Sequence, residues 1–191
     1  GGIGVTPMLT MASRLHTIGC DFELHYSARS RDSAGFLKDL EQAQWCSRVV
    51  LHISEEGSRA DMCQLVPNYE ADFHIYTCGG ASYMDSVYSA AAAKGWPEEA
   101  LHKEYFSVPE APEYVNHPFT LRLAKSGRSI EVPADRSATD MLREAGIMVD
   151  TKCSDGICGV CATRHLAGEV EHRDFVLSAK ERQEKIILCC G

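Results

Sequence analysis

Apolar positions change rhythm along this chain, and the rhythm divides it. After Gly1-Gly-Ile-Gly4, apolar residues at 8, 11, 12 and 15 keep helical spacing, and Pro7 suits a first helical turn. Residues 21–26 alternate as a strand, 32–44 read as a helix, and 48–53 and 72–77 as two further strands. The third strand runs into Cys78-Gly79-Gly80, and a helix follows over 83–94. Strands alternating with helices predict a parallel sheet covered on both faces. Such sheets bind ligands beyond the carboxyl ends of their strands. Residues 1–4, 27–31, 54–57 and 78–80 would line that edge.

The rhythm stops at residues 107–114, where two prolines and two acids interrupt any amphipathic period. Beyond it, 118–123 and 128–132 alternate around Gly127, which predicts a hairpin. Ser137 is an N-cap for a helix through 140–145, and Gly146 would end it. A strand at 162–166, a helix at 178–184 and a last strand at 186–189 complete a small α+β unit. The domains expected are 1–108, a linker at 109–117, and 118–191.

Composition narrows the function. The 191 residues can bury a core as one large domain or two small ones. The net charge is −8, with 8 basic and 15 acidic residues in 1–111 and 11 and 12 in 112–191. An acidic chain is a poor nucleic-acid ligand. No apolar run approaches a membrane span and no signal peptide is visible. Of nine cysteines, five lie between 153 and 190 and four are scattered at 20, 46, 63 and 78. That distribution suits a reduced, cytoplasmic protein better than a disulfide framework.

Cys153-Ser-Asp-Gly-Ile-Cys158-Gly-Val-Cys161 reads C-x4-C-x2-C, and Cys189 follows after 27 residues with Cys190 beside it. This is plant-type spacing for a [2Fe–2S] cluster. Four thiolates must converge on two irons, and Gly156 and Gly159 let the loop wrap inorganic sulfide closely. Spacing alone admits Cys189 or Cys190. Alternation on a strand would let only one of them reach the cluster. Four thiolates also suit zinc, usually as paired C-x2–4-C units, but here the fourth cysteine stands apart. A Rieske-type cluster would need His165 and His172 as ligands. With four cysteines at hand, both read as surface or hydrogen-bonding residues.

The cysteine motif, then Gly168-Glu-Val-Glu-His-Arg-Asp174 and Val176-Leu-Ser178, resemble the ferredoxin domain of the phthalate dioxygenase reductase family, which includes vanillate demethylase reductases. Gly1-Gly-Ile-Gly-Val-Thr-Pro7 resembles its nicotinamide-binding domain. The resemblance implies a ferredoxin-reductase-like α/β nucleotide-binding domain followed by a β-grasp [2Fe–2S] ferredoxin domain. It selects Cys153, Cys158, Cys161 and Cys189 as ligands. It places Gly1, Gly2, Gly4, Thr6 and Pro7 at the dinucleotide pyrophosphate, where free helix N–H groups hold phosphate. Ser27 and Arg29 fall on the adenosine side. Arg29 and Arg31 would also suit the 2′-phosphate of NADPH, but the relatives use NADH. Cys78 and Gly79 match the family's Cys-Gly-Pro beside the nicotinamide, with Gly80 in place of proline. Cys78 is therefore the catalytic-position cysteine, whether it packs against the ring or is simply a buried thiol.

The resemblance implies a reductase that passes electrons from NADH through FMN to the [2Fe–2S] cluster and on to a Rieske-type terminal oxygenase. The family's FMN barrel precedes the stretch matching Gly1, so this stretch alone is not expected to couple NADH oxidation to cluster reduction. A non-catalytic [2Fe–2S] electron carrier and a structural zinc module are the rival readings.

Overall fold

The computed structural model describes residues 2–110 and 113–191, so Gly1 and residues 111–112 fall outside the description. The chain forms two compact units, Gly1–Phe106 and Ser107–Gly191.

In the first unit, a 3-10 turn at Gly2–Gly4 leads into α1 (Val5–Thr17). Gly4 is its N-cap, so Pro7 sits third in the helix, still within the first turn where its missing N–H costs nothing. β1 (Leu24–Ala28) pairs in parallel with β2 (Val49–Ile53), with Leu24 opposite Val49 and Ala28 opposite Ile53. Between them α2 covers only Leu37–Gln42, shorter than the 32–44 expected. Ser30 and Ser33 explain the difference. Each backbone N–H donates to the other's hydroxyl, at 3.0 and 3.2 Å, and this local ring competes with helix. Phe36 then takes a left-handed φ of 59°, so the helix begins only after it. Val5, Leu24, Tyr26, Leu40 and Trp45 bury together and tie α1 to β1 and α2.

α3 (Met62–Leu65) is a single turn capped by the Asp61 carboxylate, which accepts the Cys63 N–H. β3 (Ile75–Cys78) leads into α4 (Ala81–Ala93) and pairs in parallel with β4 (Leu101–Glu104). α4 packs Val87, Ala90 and Ala91 against Val66, Trp96 and Ala100. Small alanines let the helix approach closely, and the Trp96 indole N–H is satisfied by the Pro67 carbonyl at 2.8 Å.

In the second unit, β5 (Phe119–Arg122) and β6 (Ser129–Val132) form the expected antiparallel hairpin, turned at Gly127 with φ 69°. Along β6 only Ile130 and Val132 are buried, the alternation of a one-faced strand. The Ser137 hydroxyl caps α5 (Ala138–Glu144) by accepting the Asp140 N–H, and Gly146 follows with φ 75°. Ile130, Val132, Ala138, Leu142 and Leu188 make the core. β7 (Ala162–Arg164) and β8 (Lys185–Ile187) are antiparallel.

Two expectations fail here. The helix over 178–184 is only a 3-10 turn at Glu181–Gln183. The last strand does not reach Cys189. It ends at Ile187, whose carbonyl accepts the N–H of Cys190 at 3.3 Å and of Gly191 at 2.9 Å, so the chain bends into a turn. No helix of the described residues is long and apolar enough to cross a membrane.

Candidate functional site

The cysteine loop lies between α5 and β7. Gly156 and Gly159 both have φ of 71°, and Ser154 between them and α5 has φ 64°, a conformation L-residues rarely take. The loop is pinned at both ends. The Phe175 N–H donates to the Gly156 carbonyl at 3.1 Å, and the Ala162 N–H to Gly159 at 3.1 Å.

Its thiols meet in pairs. Cys153 lies beside Cys158, and Cys161 beside Cys189. Backbone N–H groups face the sulfurs: that of Asp155 donates to Cys153 Sγ at 3.4 Å, and that of Gly156 faces Cys189. Burial alone would raise the Cys153 pKa, but the N–H of Asp155 and the Cys158 thiol, then the N–H groups of Ile157 and Cys158, lower it to about 7. Burial raises Cys161, with the Cys189 N–H opposing. The Cys190 thiol and burial together raise Cys189, while the same contact lowers Cys190. At Cys153 the backbone N–H donors favour thiolate, the form in which cysteine binds iron. Among the described residues no three His, Cys, Asp or Glu side chains are gathered closely enough to hold a metal ion. None of the nine cysteines is in a disulfide.

Beneath the loop sits Asp174, 5% exposed. Its carboxylate accepts the N–H groups of Val176 at 3.1 Å and Leu177 at 2.7 Å. Arg182 Nη2 donates to its carbonyl at 2.8 Å, and His172 Nε2 donates to the Arg182 carbonyl at 3.1 Å. His172 is thus a half-buried hydrogen-bonding residue. Sequence reasoning gave Asp174 and Arg182 no role. The buried acid two residues after a histidine was the available signal, but nothing in the spacing said what it would hold.

The edge expected to hold the nucleotide is assembled from separated segments. A Cβ on Gly4 would fall 2.5 Å from the Cys78 carbonyl oxygen and 2.9 Å from the Gly79 nitrogen. The glycine turn and the end of β3 therefore meet only because residue 4 has no side chain. Tyr26 Oη donates to the Gly2 carbonyl at 3.3 Å, bringing β1 to the same place. The Thr6 hydroxyl donates to the Ile3 carbonyl at 3.0 Å. The Ser27 hydroxyl reaches Tyr83 Oη at 3.5 Å, near the start of α4. Cys78 is buried, and burial, then the Glu104 charge, push its thiol up, so it packs as a neutral group. Arg29 and Arg31 are both engaged by acids: Arg29 Nε donates to Glu55 at 3.0 Å and Arg31 Nε to Glu56 at 2.8 Å. Gly1 lies outside the described residues.

Residues 121–191 match the model of the 2Fe-2S iron-sulfur cluster binding domain. The chain is 38% identical to the vanillate O-demethylase oxidoreductase of Pseudomonas putida, over all of this chain and 62% of that protein. It superimposes on phthalate dioxygenase reductase, described as a modular structure for electron transfer from pyridine nucleotides to [2Fe-2S], with TM-score 0.58 and 36% identity over 99% of this chain and 59% of that one. Full-length CYP116B46 from Tepidiphilus thermophilus matches with TM-score 0.82 and 37% identity over all of this chain and 25% of that one. The chain thus spans less than two thirds of the length of these relatives. Over its whole length this chain is similar to reductases of the phthalate dioxygenase reductase family, and residues 121–191 in its second unit match a 2Fe-2S cluster binding domain.

Proposed function

We propose that this chain is the nucleotide-binding and [2Fe–2S] portion of a reductase that carries electrons from NADH, by way of FMN, to a Rieske-type oxygenase. The observation that carries the reading is the thiol arrangement: Cys153 with Cys158 and Cys161 with Cys189, under backbone N–H donors. Cys153, Cys158, Cys161 and Cys189 would hold the cluster on a β-grasp scaffold. A cluster bound there supplies one-electron chemistry, which an oxygenase needs and a nicotinamide cannot deliver alone.

In the first unit, the N–H groups at the start of α1, behind Gly2, Gly4, Thr6 and Pro7, would receive the pyrophosphate. Ser27 and Arg29 would flank the adenosine, and Cys78 and Gly79 the nicotinamide. NADH is favoured over NADPH because Arg29 and Arg31 already pair with Glu55 and Glu56. A 2′-phosphate arriving there would meet two carboxylates. Cys78 is assigned a packing role beside the nicotinamide, since a buried neutral thiol is a poor nucleophile.

The test is anaerobic reconstitution with iron and sulfide, followed by metal analysis and NADH titration. Two irons and two sulfides per chain, with NADH bound more tightly than NADPH, support the reading. A single zinc, or a loaded cluster with no nucleotide affinity, would replace it with the structural module or the simple electron carrier.

A further inference from the structure

Cys190 stands beside the proposed ligand Cys189, and strand alternation would turn it away from the cluster loop. The fold does not do this. β8 ends at Ile187, whose carbonyl accepts the N–H groups of Cys190 and Gly191, so the chain turns through both cysteines. Successive side chains in such a turn do not point to opposite faces as they do on a strand.

Both thiols meet the same residue of the loop. The Gly156 N–H faces the Cys189 thiol. A Cβ on Gly156 would lie 2.6 Å from Cys190 Sγ, so the Cys190 sulfur rests on the bare face of that glycine. The two thiols lie beside each other. Two thiols thus stand at Gly156 of the loop, where one fourth ligand is needed.

We propose that Cys189 and Cys190 are interchangeable fourth ligands, so that Cys190 can hold the second iron when Cys189 does not. The inference rests on the [2Fe–2S] reading above. The exchange moves no electrons. The Cys190 thiol gives up its proton as its sulfur bonds iron, and the Cys189 sulfur takes up a proton as its own bond to iron breaks.

The experiment compares reconstituted wild type, Cys189→Ala, Cys158→Ala and the double variant Cys189→Ala/Cys190→Ala, by iron, acid-labile sulfide and visible circular dichroism. Alanine offers no oxygen ligand. Cys189→Ala is expected to keep two irons and two sulfides with a shifted dichroism spectrum. The double variant and Cys158→Ala are expected to lose most of their iron. Iron loss in Cys189→Ala equal to that in Cys158→Ala, with wild type fully loaded, overturns the exchange and leaves the cluster reading standing. A wild type that takes up no sulfide overturns both. Should Cys189→Ala lose its far-ultraviolet spectrum, Cys189→Val, which fills the space and likewise offers no ligand atom, decides. Mass mapping after alkylation should show Cys190 shielded in loaded Cys189→Ala; a Cys190 that alkylates freely there contradicts the proposal.

Discussion

The cysteine loop and the proposed nucleotide edge would solve the same problem, holding a charged cofactor, by opposite routes. The loop is nearly continuous in sequence: three thiols within nine residues, with the fourth delivered by one turn. The edge is dispersed, gathering Gly2, Gly4, Tyr26, Cys78 and Gly79 from across the first unit. A continuous site depends on local backbone conformation, on Ser154, Gly156 and Gly159 at positive φ. A dispersed site depends on close approach, and one hydrogen atom at Gly4 stands between assembly and collision. Local damage should therefore abolish the first outright, while remote or single-atom changes grade the second.

The largest effect expected is from Cys158→Ser. It breaks the Cys153–Cys158 pair and should abolish normal cluster assembly, read as iron per chain and visible absorbance, with NADH affinity unchanged. Unchanged iron would break the comparison at its strongest point. Gly4→Ala should do the reverse. Its methyl group must displace the Cys78–Gly79 backbone, which costs about 1–3 kcal/mol of stability by the usual measure of overpacking. NADH binding by calorimetry should weaken while iron content holds.

Smaller is Glu55→Gln with Glu56→Gln. Freeing Arg29 and Arg31 should narrow the preference for NADH over NADPH several-fold, roughly the worth of one or two exposed ion pairs. An unchanged ratio of the two affinities would remove these acids from cofactor selection.

The smallest concerns His52, packed against His25 at 3.0 Å between nitrogens. Burial, then the neighbouring His25 charge, lowers its pKa. The unfolded chain takes up a proton near about 6.5 while the folded chain resists it, so stability falls as pH drops below that value. Thermal melts of His52→Gln between about pH 5 and 7.5 should show a flatter dependence than wild type, with iron loading untouched.

How far the sequence could be read follows the same division. The cysteine spacing, the Ser137 cap, the Gly127 hairpin and α1 are legible because each depends on residues within a turn or two. α2 is shorter than its pattern because the Ser30–Ser33 ring is a side-chain event that hydrophobic periodicity does not register. β4 went unread because four residues, Leu-His-Lys-Glu, become a strand only beside β3. The turn after Ile187 was hidden for a related reason. Ile186-Ile-Leu-Cys189 reads as one apolar strand, and only the hydrogen bonds to the Ile187 carbonyl show where it stops. That missed turn decides whether one thiol or two face the loop. The meeting of Gly4 with Cys78 is likewise invisible locally, since 74 positions separate them.

The most direct test of the central claim is low-temperature electron paramagnetic resonance of the reconstituted, dithionite-reduced protein, with iron and sulfide measured on the same sample. The account predicts an S = 1/2 signal from one [2Fe–2S] centre per chain, accounting for all of the iron and sulfide. A protein that remains colourless and silent after reconstitution, or that retains zinc in the same thiols, would contradict it.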